Sequence, residues 1–449
     1  MRASLQQLSL LGCLALSASA CSWSRFDEVT KNSPVVLLEK PSSMTSGFGV
    51  SLASATNDGQ TKLLVGGTVT LSGAALYDIG QEDSPDTAAI DIAYCAGSSE
   101  PCFLSSSPAG LANASGPDQK VRPLCFALGS GAVVKQGLVV RCQDATEYTL
   151  EMPPVAQASL ANSIAQNQPL DYPLAVDRKD DPALFASLPE QRLAWFYPAR
   201  SSTFSELRLP EAAAVDDPSF GRSLAVLSVD GGRVLALSVS GKSKVLLWKT
   251  DDRDKSSYIG CLGGKAGLGR ALAAGKVNAD GSDDLVVSDE TNVHAIDGAS
   301  LFRLPETASG ECSFSSLPAG ALLGSFGCGS TSNVSGCEQS EFGAALAVGD
   351  LDGDGDGEVI VGAPKMTVRG AENAGALLVY DADGTTDTAV VDAKFISSAE
   401  AGDLLGRTIV TPHIGKRDII AAGAPGHGKA ALFYCSTLLA PGTAGSRCP

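Results

Sequence analysis

The sequence predicts an all-β protein, a seven-bladed β-propeller of four-stranded antiparallel blades closed by an N-terminal strand, and three observations predict it. Five segments align, each opening on a large apolar residue followed by glycine: Phe48-Gly49, Phe220-Gly221, Leu268-Gly269, Phe342-Gly343 and Leu405-Gly406. Short apolar runs follow them, such as Leu63-Leu64-Val65, Val234-Leu235-Ala236-Leu237, Leu285-Val286-Val287, Val359-Ile360-Val361 and Ile419-Ile420-Ala421. Their length and glycine flanks suit strands, not helices, and alternating β runs with glycine turns also describe sandwiches and barrels. The repeat starts lie 172, 48, 74 and 63 residues apart. A step of about 62 residues leaves room for two further blades in the long gap, which gives seven in all.

The elements follow in chain order. Residues 1–20 carry Arg2, an apolar stretch from Leu8 to Leu16 and a small-residue end, Ala18-Ser19-Ala20, the pattern of a secretory signal peptide. Cys21 directly after it resembles the lipobox cysteine of bacterial lipoproteins, which implies a lipidated mature start. Ser22 resembles the sorting residue of lipoproteins sent to the outer membrane. Residues 21–32 then read as a tether and 33–449 as one propeller. Val35-Val36-Leu37-Leu38 is a candidate outer strand donated to the last blade, because a ring must leave no bare edge.

Visible blades start near 48, 220, 268, 342 and 405. The two hidden ones are expected near 86–150 and 151–212, where Lys120 to Leu128, Leu138 to Cys142, Tyr148 to Met152 and Arg192 to Tyr197 read as strands. The stretch 103–119, rich in Ser, Gly, Pro and Asn, reads as a long surface loop. Third runs of Lys244 to Trp248, Val293 to Ile296, Ala376 to Tyr380 and Ala430 to Tyr434 complete antiparallel meanders.

Composition narrows the function. Hydrophobic residues make up 44% and charged residues 18%, enough to bury a core. A net charge of -17 repels phosphate backbones, so nucleic acid is an unexpected partner. After the signal no apolar run of about 18 residues exists to cross a bilayer, so attachment would be through lipid. Setting aside Cys13 and Cys21, ten cysteines remain, an even number suited to disulfides in an oxidising compartment: Cys95, Cys102, Cys125, Cys142, Cys261, Cys312, Cys328, Cys337, Cys435 and Cys448. Pairing of sequential neighbours is one possible connectivity. Their spacing does not suit a zinc site.

The Phe-Gly openings, together with Val359-Ile360-Val361-Gly362-Ala363-Pro364 and the Gly-Ala-Pro of Gly423-Ala424-Pro425, resemble the FG-GAP repeats of the integrin α-subunit head and of bacterial surface proteins. That resemblance implies one propeller blade per repeat. Between the first two strands of the sixth blade runs Asp350-Leu351-Asp352-Gly353-Asp354-Gly355-Asp356-Gly357-Glu358, with a carboxylate at every second position. A tight hairpin turns alternate side chains inward, and hard divalent cations want six to eight oxygens at about 2.4 Å. Ca²⁺ is the expected occupant, with an acidic solvated turn as the bland alternative. The family resemblance implies Asp350, Asp352, Asp354 and Glu358 as side-chain ligands and Asp356 as a carbonyl donor. A near-copy in the fifth blade, Lys276 to Asp284, starts on Lys276 and is expected to keep the hairpin shape without calcium. The loops Thr56 to Lys62, Ser228 to Arg233 and His413 to Arg417 read as plain turns.

Three histidines, His294, His413 and His427, offer little for acid-base catalysis and read as structural or solvated. Trp195, Phe196, Tyr197 and Trp248 could floor a sugar pocket, but strand aromatics more often pack between blades. The expected function is a noncatalytic, calcium-stabilised lipoprotein of the outer membrane, facing the periplasm or the cell surface. As an adhesion or scaffold module it would bind a protein or glycan through loops such as Lys365 to Asn373. The alternative is a secreted hydrolase or lectin-like sugar binder.

Overall fold

The computed structural model describes residues 35–434, with breaks of which the longest are 80–90, 94–102, 329–338, 381–388 and 393–399. Seven four-stranded antiparallel sheets stand in a ring, the β-propeller that the repeats predict. The first sheet holds β2 (Ser51–Asn57), β3 (Gln60–Gly66), β4 (Ala74–Asp78) and β5 (Asp91–Ala93), after the short β1 (Val35–Leu37). The second holds β6 (Phe103–Ser115), β7 (Val121–Ser130), β8 (Leu138–Cys142) and β9 (Glu147–Leu150). In the third are β10 (Leu174–Val176), β11 (Leu184–Leu188), β12 (Leu193–Tyr197) and β13 (Ser205–Glu206), reached through helix α1 (Pro154–Gln166). The fourth comprises β14 (Phe220–Val229), β15 (Gly232–Val239), β16 (Lys244–Asp251) and β17 (Ser256–Gly263).

The fifth sheet runs β18 (Leu272–Gly275), β19 (Asp284–Ser288), β20 (Asn292–Ile296) and β21 (Leu322–Gly327), with the short helix α2 (Gly298–Phe302) before its outer strand. β22 (Ala345–Gly349), β23 (Glu358–Ala363), β24 (Ala376–Tyr380) and β25 (Ala389–Asp392) make the sixth. The seventh uses β26 (Thr408–Val410), β29 (Ile420–Ala424) and β30 (Lys429–Phe433), and a small hairpin of β27 (His413–Ile414) and β28 (Arg417–Asp418) joins its first two strands. Its fourth strand is β1, antiparallel to β30 with Val36 opposite Leu432.

Packing between sheets explains the repeated glycine. Gly49, Gly221, Gly269, Gly343 and Gly406 all adopt φ between +66° and +86°, where only glycine is unstrained. Gly343 donates its N–H to the Gly362 carbonyl at the end of β23, and a Cβ on it would lie 2.7 Å from the Ser288 Cβ of the preceding sheet. The glycine of Gly-Ala-Pro meets it from the other side of the next seam, since a Cβ on Gly362 would stand 2.1 Å from the Gly406 carbonyl. Where serine replaces that second glycine, its hydroxyl bonds across the seam: Ser187 Oγ donates to the Gly221 carbonyl at 2.6 Å and Ser288 Oγ to that of Gly343 at 2.9 Å. The apolar core lies in these seams, in clusters such as Val286, Phe342, Val361 and Tyr380 between the fifth and sixth sheets.

Both hidden blades are present, one as β6 to β9 and the other as β10 to β13. The reading of 103–119 as a loop is overturned, because 103–115 form the inner strand of the second sheet. Small residues are needed there. A Cβ on Gly110 would lie 1.9 Å from the Ser54 carbonyl of the first sheet, and a shift of register between Leu104 and Ala109 accommodates Pro108. Helix α1 is a second difference, with Ala156 and Leu160 buried one turn apart beneath a Pro154 start.

Among the described residues, two of the sequential cysteine pairs are disulfides. Cys125 faces Cys142 directly across β7 and β8, while Cys261 on β17 reaches Cys312 before β21 and ties the fourth sheet to the fifth. Cys328 is disulfide-bonded as well. Residues 1–32 with Cys21, together with Cys95, Cys102, Cys337, Cys435 and Cys448, lie outside the described residues. Among the described residues no helix is long and apolar enough to cross a membrane.

Candidate metal centre

The hairpin between β22 and β23 is built by hydrogen bonds from its own carboxylates. Asp350 Oδ1 accepts from the Gly353 N–H at 2.7 Å and Oδ2 from the Gly355 N–H at 3.2 Å. Asp352 and Asp354 each accept from the N–H two residues on, that of Asp354 at 3.2 Å and of Asp356 at 3.3 Å. These local turns fold alternate side chains to one side. Gly353 and Gly355 supply φ of +81° and +104°, which the tight bend requires. The outcome is a trio: Asp350, Asp352 and Asp354 each offer a carboxylate oxygen, all within 4.8 Å of one another.

Glu358 closes the loop from the start of β23, where its Oε2 accepts from the Leu351 N–H at 2.7 Å. Burial first, and then the negative charges of Asp352 and Asp354, push its carboxyl up to about 8. Burial likewise raises Asp350, helped by the charge of Asp418. The raised carboxyls of Asp350 and Glu358 would be favoured in their ionised form by a nearby positive charge, and an all-oxygen donor set fits a hard cation. Asp356 stands outside the trio and contributes its N–H to Asp354.

The loop is anchored to the neighbouring sheet. Asp418 on β28 donates its N–H to the Asp350 carbonyl at 2.6 Å, and its Oδ2 accepts from the Asp350 N–H at 3.1 Å. His413 Nδ1 lies 2.8 Å from the other Asp418 oxygen. The same reciprocal pair occurs two seams earlier, between the fourth and fifth sheets, where Asp283 N–H bonds the Ser228 carbonyl at 2.8 Å and Asp283 Oδ2 accepts from the Ser228 N–H at 2.9 Å. Sequence reasoning missed this clamp, although an acidic residue stands just before the second strand in both sheets.

In the fifth sheet the Lys276 to Asp284 loop keeps the same hydrogen-bonded form. Asn278 Oδ1 accepts from the Asp280 N–H at 3.2 Å and Asp280 Oδ1 from the Ser282 N–H at 2.8 Å. Asp284 takes the place of Glu358, accepting from the N–H groups of Val277, Asn278 and Gly298, and burial pushes it up to about 7. Lys276 itself is exposed. The histidines all face carboxylates: His413 faces Asp418, His427 Nδ1 lies 2.7 Å from Asp403, and His294 Nε2 lies 2.9 Å from Asp289. Trp195, Phe196, Tyr197 and Trp248 are buried in the seams and form no sugar platform.

Residues 342–380 match the family model of the FG-GAP repeat, a stretch that contains the whole acidic hairpin. No curated protein sequence matches the chain. A solved structure similar over most of the length is the selenomethionine-substituted virginiamycin B lyase from Staphylococcus aureus. It is 9% identical and covers 90% of this chain and 99% of that one, with a TM-score of 0.47. A likeness at that level carries no argument about activity.

Proposed function

We propose that this FG-GAP propeller is a calcium-stabilised binding module, exported and held at the bacterial outer membrane by a lipid on Cys21, with a protein or glycan as its ligand. The observation that carries the reading is the trio of Asp350, Asp352 and Asp354 beside a buried Glu358, on a hairpin clamped to the next sheet by Asp418. A cation there would neutralise the crowding and fasten two sheets of the ring, a structural role with no chemistry of its own. Asp350, Asp352, Asp354 and Glu358 would supply side-chain oxygens, with the Asp356 carbonyl as a further donor. The ligand face is the opposite end of β23, where the loop from Lys365 to Asn373 stands.

The test is thermal unfolding with and without Ca²⁺, for the wild type and for Asp352→Ala combined with Asp354→Ala. Calcium is expected to raise the wild-type Tm in a concentration-dependent way and to leave the double variant where it was, as linkage demands. Identical curves for the two proteins would remove the metal from the reading. Mass analysis of the mature N-terminus tests the anchor, with a diacylglyceryl adduct on Cys21 as the expected result and an unmodified start as the contrary one.

A further inference from the structure

On the fifth sheet three side chains form one line of hydrogen bonds. Asp289 follows β19, His294 lies in β20, and Ser325 sits directly opposite His294 in β21. Asp289 Oδ2 is 2.9 Å from His294 Nε2, and His294 Nδ1 is 2.7 Å from Ser325 Oγ. Asp289 Oδ1 accepts from the N–H groups of Thr291 at 2.8 Å and Asn292 at 2.7 Å, which fixes the carboxylate in place. The aspartate and the histidine are buried at 5% and 1% exposure, while Ser325 is open to solvent.

The tautomer follows from the partners. An ionised carboxylate only accepts, so Nε2 carries the ring proton and donates it to Asp289, and the lone pair of Nδ1 faces the Ser325 hydroxyl. Burial holds His294 below its usual range and therefore neutral. Burial alone would raise Asp289, yet the hydrogen bonds from His294, Thr291 and Asn292 outweigh it and keep the acid below its usual range.

Phe314 covers the imidazole at 5.0 Å between ring centroids, and the Cys261–Cys312 disulfide and a Phe314 N–H to Gly263 carbonyl bond of 2.8 Å hold it there. The Lys265 ammonium stands over the Phe314 ring at 4.9 Å and brings a positive charge to the same end of the sheet. A histidine held only for packing could be satisfied by buried groups. This one spends its basic nitrogen on a hydroxyl at the outer edge of the ring.

We propose that Asp289, His294 and Ser325 make Ser325 a nucleophile toward carboxylic esters, a hydrolytic site on a different sheet from the acidic hairpin and beyond the binding role given above. Ser325 Oγ attacks the ester carbonyl carbon while its proton passes to His294 Nδ1. The bond to the leaving alkoxide breaks, and the alcohol departs with that proton. Water then attacks the acyl-serine, its proton goes to Nδ1 and on to Ser325, and a carboxylic acid is released. Ser325 and His294 are the catalytic residues, and Asp289 positions the ring. β21 is the outer strand of its sheet, so the hydroxyl is approached from outside the ring.

A fluorophosphonate probe on the intact chain tests this, because attack forms an Oγ–P bond, expels fluoride and leaves the proton on the imidazole. Peptide mapping is expected to place the label on Ser325 and to find it gone in Ser325→Ala, an exposed change that spares the core. In His294→Gln, labelling is expected to slow by about 100-fold or more, the lower end of general-base contributions. His294 is buried, so Asp289→Asn serves as a second variant, expected to slow labelling while Tm and circular dichroism report an intact ring. Label scattered over the exposed serines of the wild type would overturn the proposal. So would equal Ser325 labelling rates in the wild type and a folded Asp289→Asn or His294→Gln, and the trio would then be a structural cross-strand pair.

Discussion

Glu358 shows how much a single carboxyl can report about the hairpin. Its ordinary value is near 4.5, and burial with two acidic neighbours lifts it to about 8. A raised acid favours the folded state while protonated: without a cation, its contribution is full below about 4.5 and is lost as the pH climbs through 8. A bound divalent ion reverses that preference, because only the ionised carboxylate coordinates well. Binding at pH 7 is therefore expected to expel close to one proton from this group, and at pH 9 almost none. Calorimetric titration in two buffers of different ionisation enthalpy measures it, and matching heats in both buffers at pH 7 would contradict the assignment. The five acids of the loop were legible because their alternation is a local pattern. Asp418 was not, since its place beside Asp350 depends on the meeting of two sheets 68 residues apart in sequence.

Among the elements, the Phe-Gly turn is the part the sequence announces most clearly, and packing accounts for it. Gly343 needs its positive φ of +79° and also the space that a side chain would take from Ser288. Gly402 has a comparable φ of +88° but nothing within 4 Å of a Cβ. Gly343→Ala is expected to cost roughly 1–3 kcal/mol from dihedral and contact together, and Gly402→Ala clearly less. Paired thermal melts check this, and equal losses would mean that backbone strain alone sets the glycine requirement. The second and third sheets hid their turns for a related reason. β6 and β10 carry no Phe-Gly, and in β11 the place of the Gly-Ala-Pro glycine is held by Ser187, which bonds to the Gly221 carbonyl instead of leaving a gap. Inner strands crowd toward the ring axis and select small residues, which is why Phe103 to Ser115 imitates a loop in composition.

For the molecule as a whole, seven sheets followed from arithmetic on repeat spacing, because a ring fixes the number of units even where some are disguised. The seventh sheet takes three strands from residues 408–433 and its fourth from Val35–Leu37, with Leu38 donating its N–H to the Ala430 carbonyl at 3.0 Å. Removing residues through Lys40 would leave the edge of β30 unpaired. Such a chain is expected to melt lower and to self-associate, as bare strand edges do. Calorimetry and sedimentation measure the two effects, and an unchanged melt from a monomer would show that the ring closes without that strand. The link between Cys261 and Cys312 has its own consequence at this scale. A protease that nicks the backbone anywhere between those positions yields two polypeptides that still travel as one on a gel, and they part company only when a thiol reductant is added.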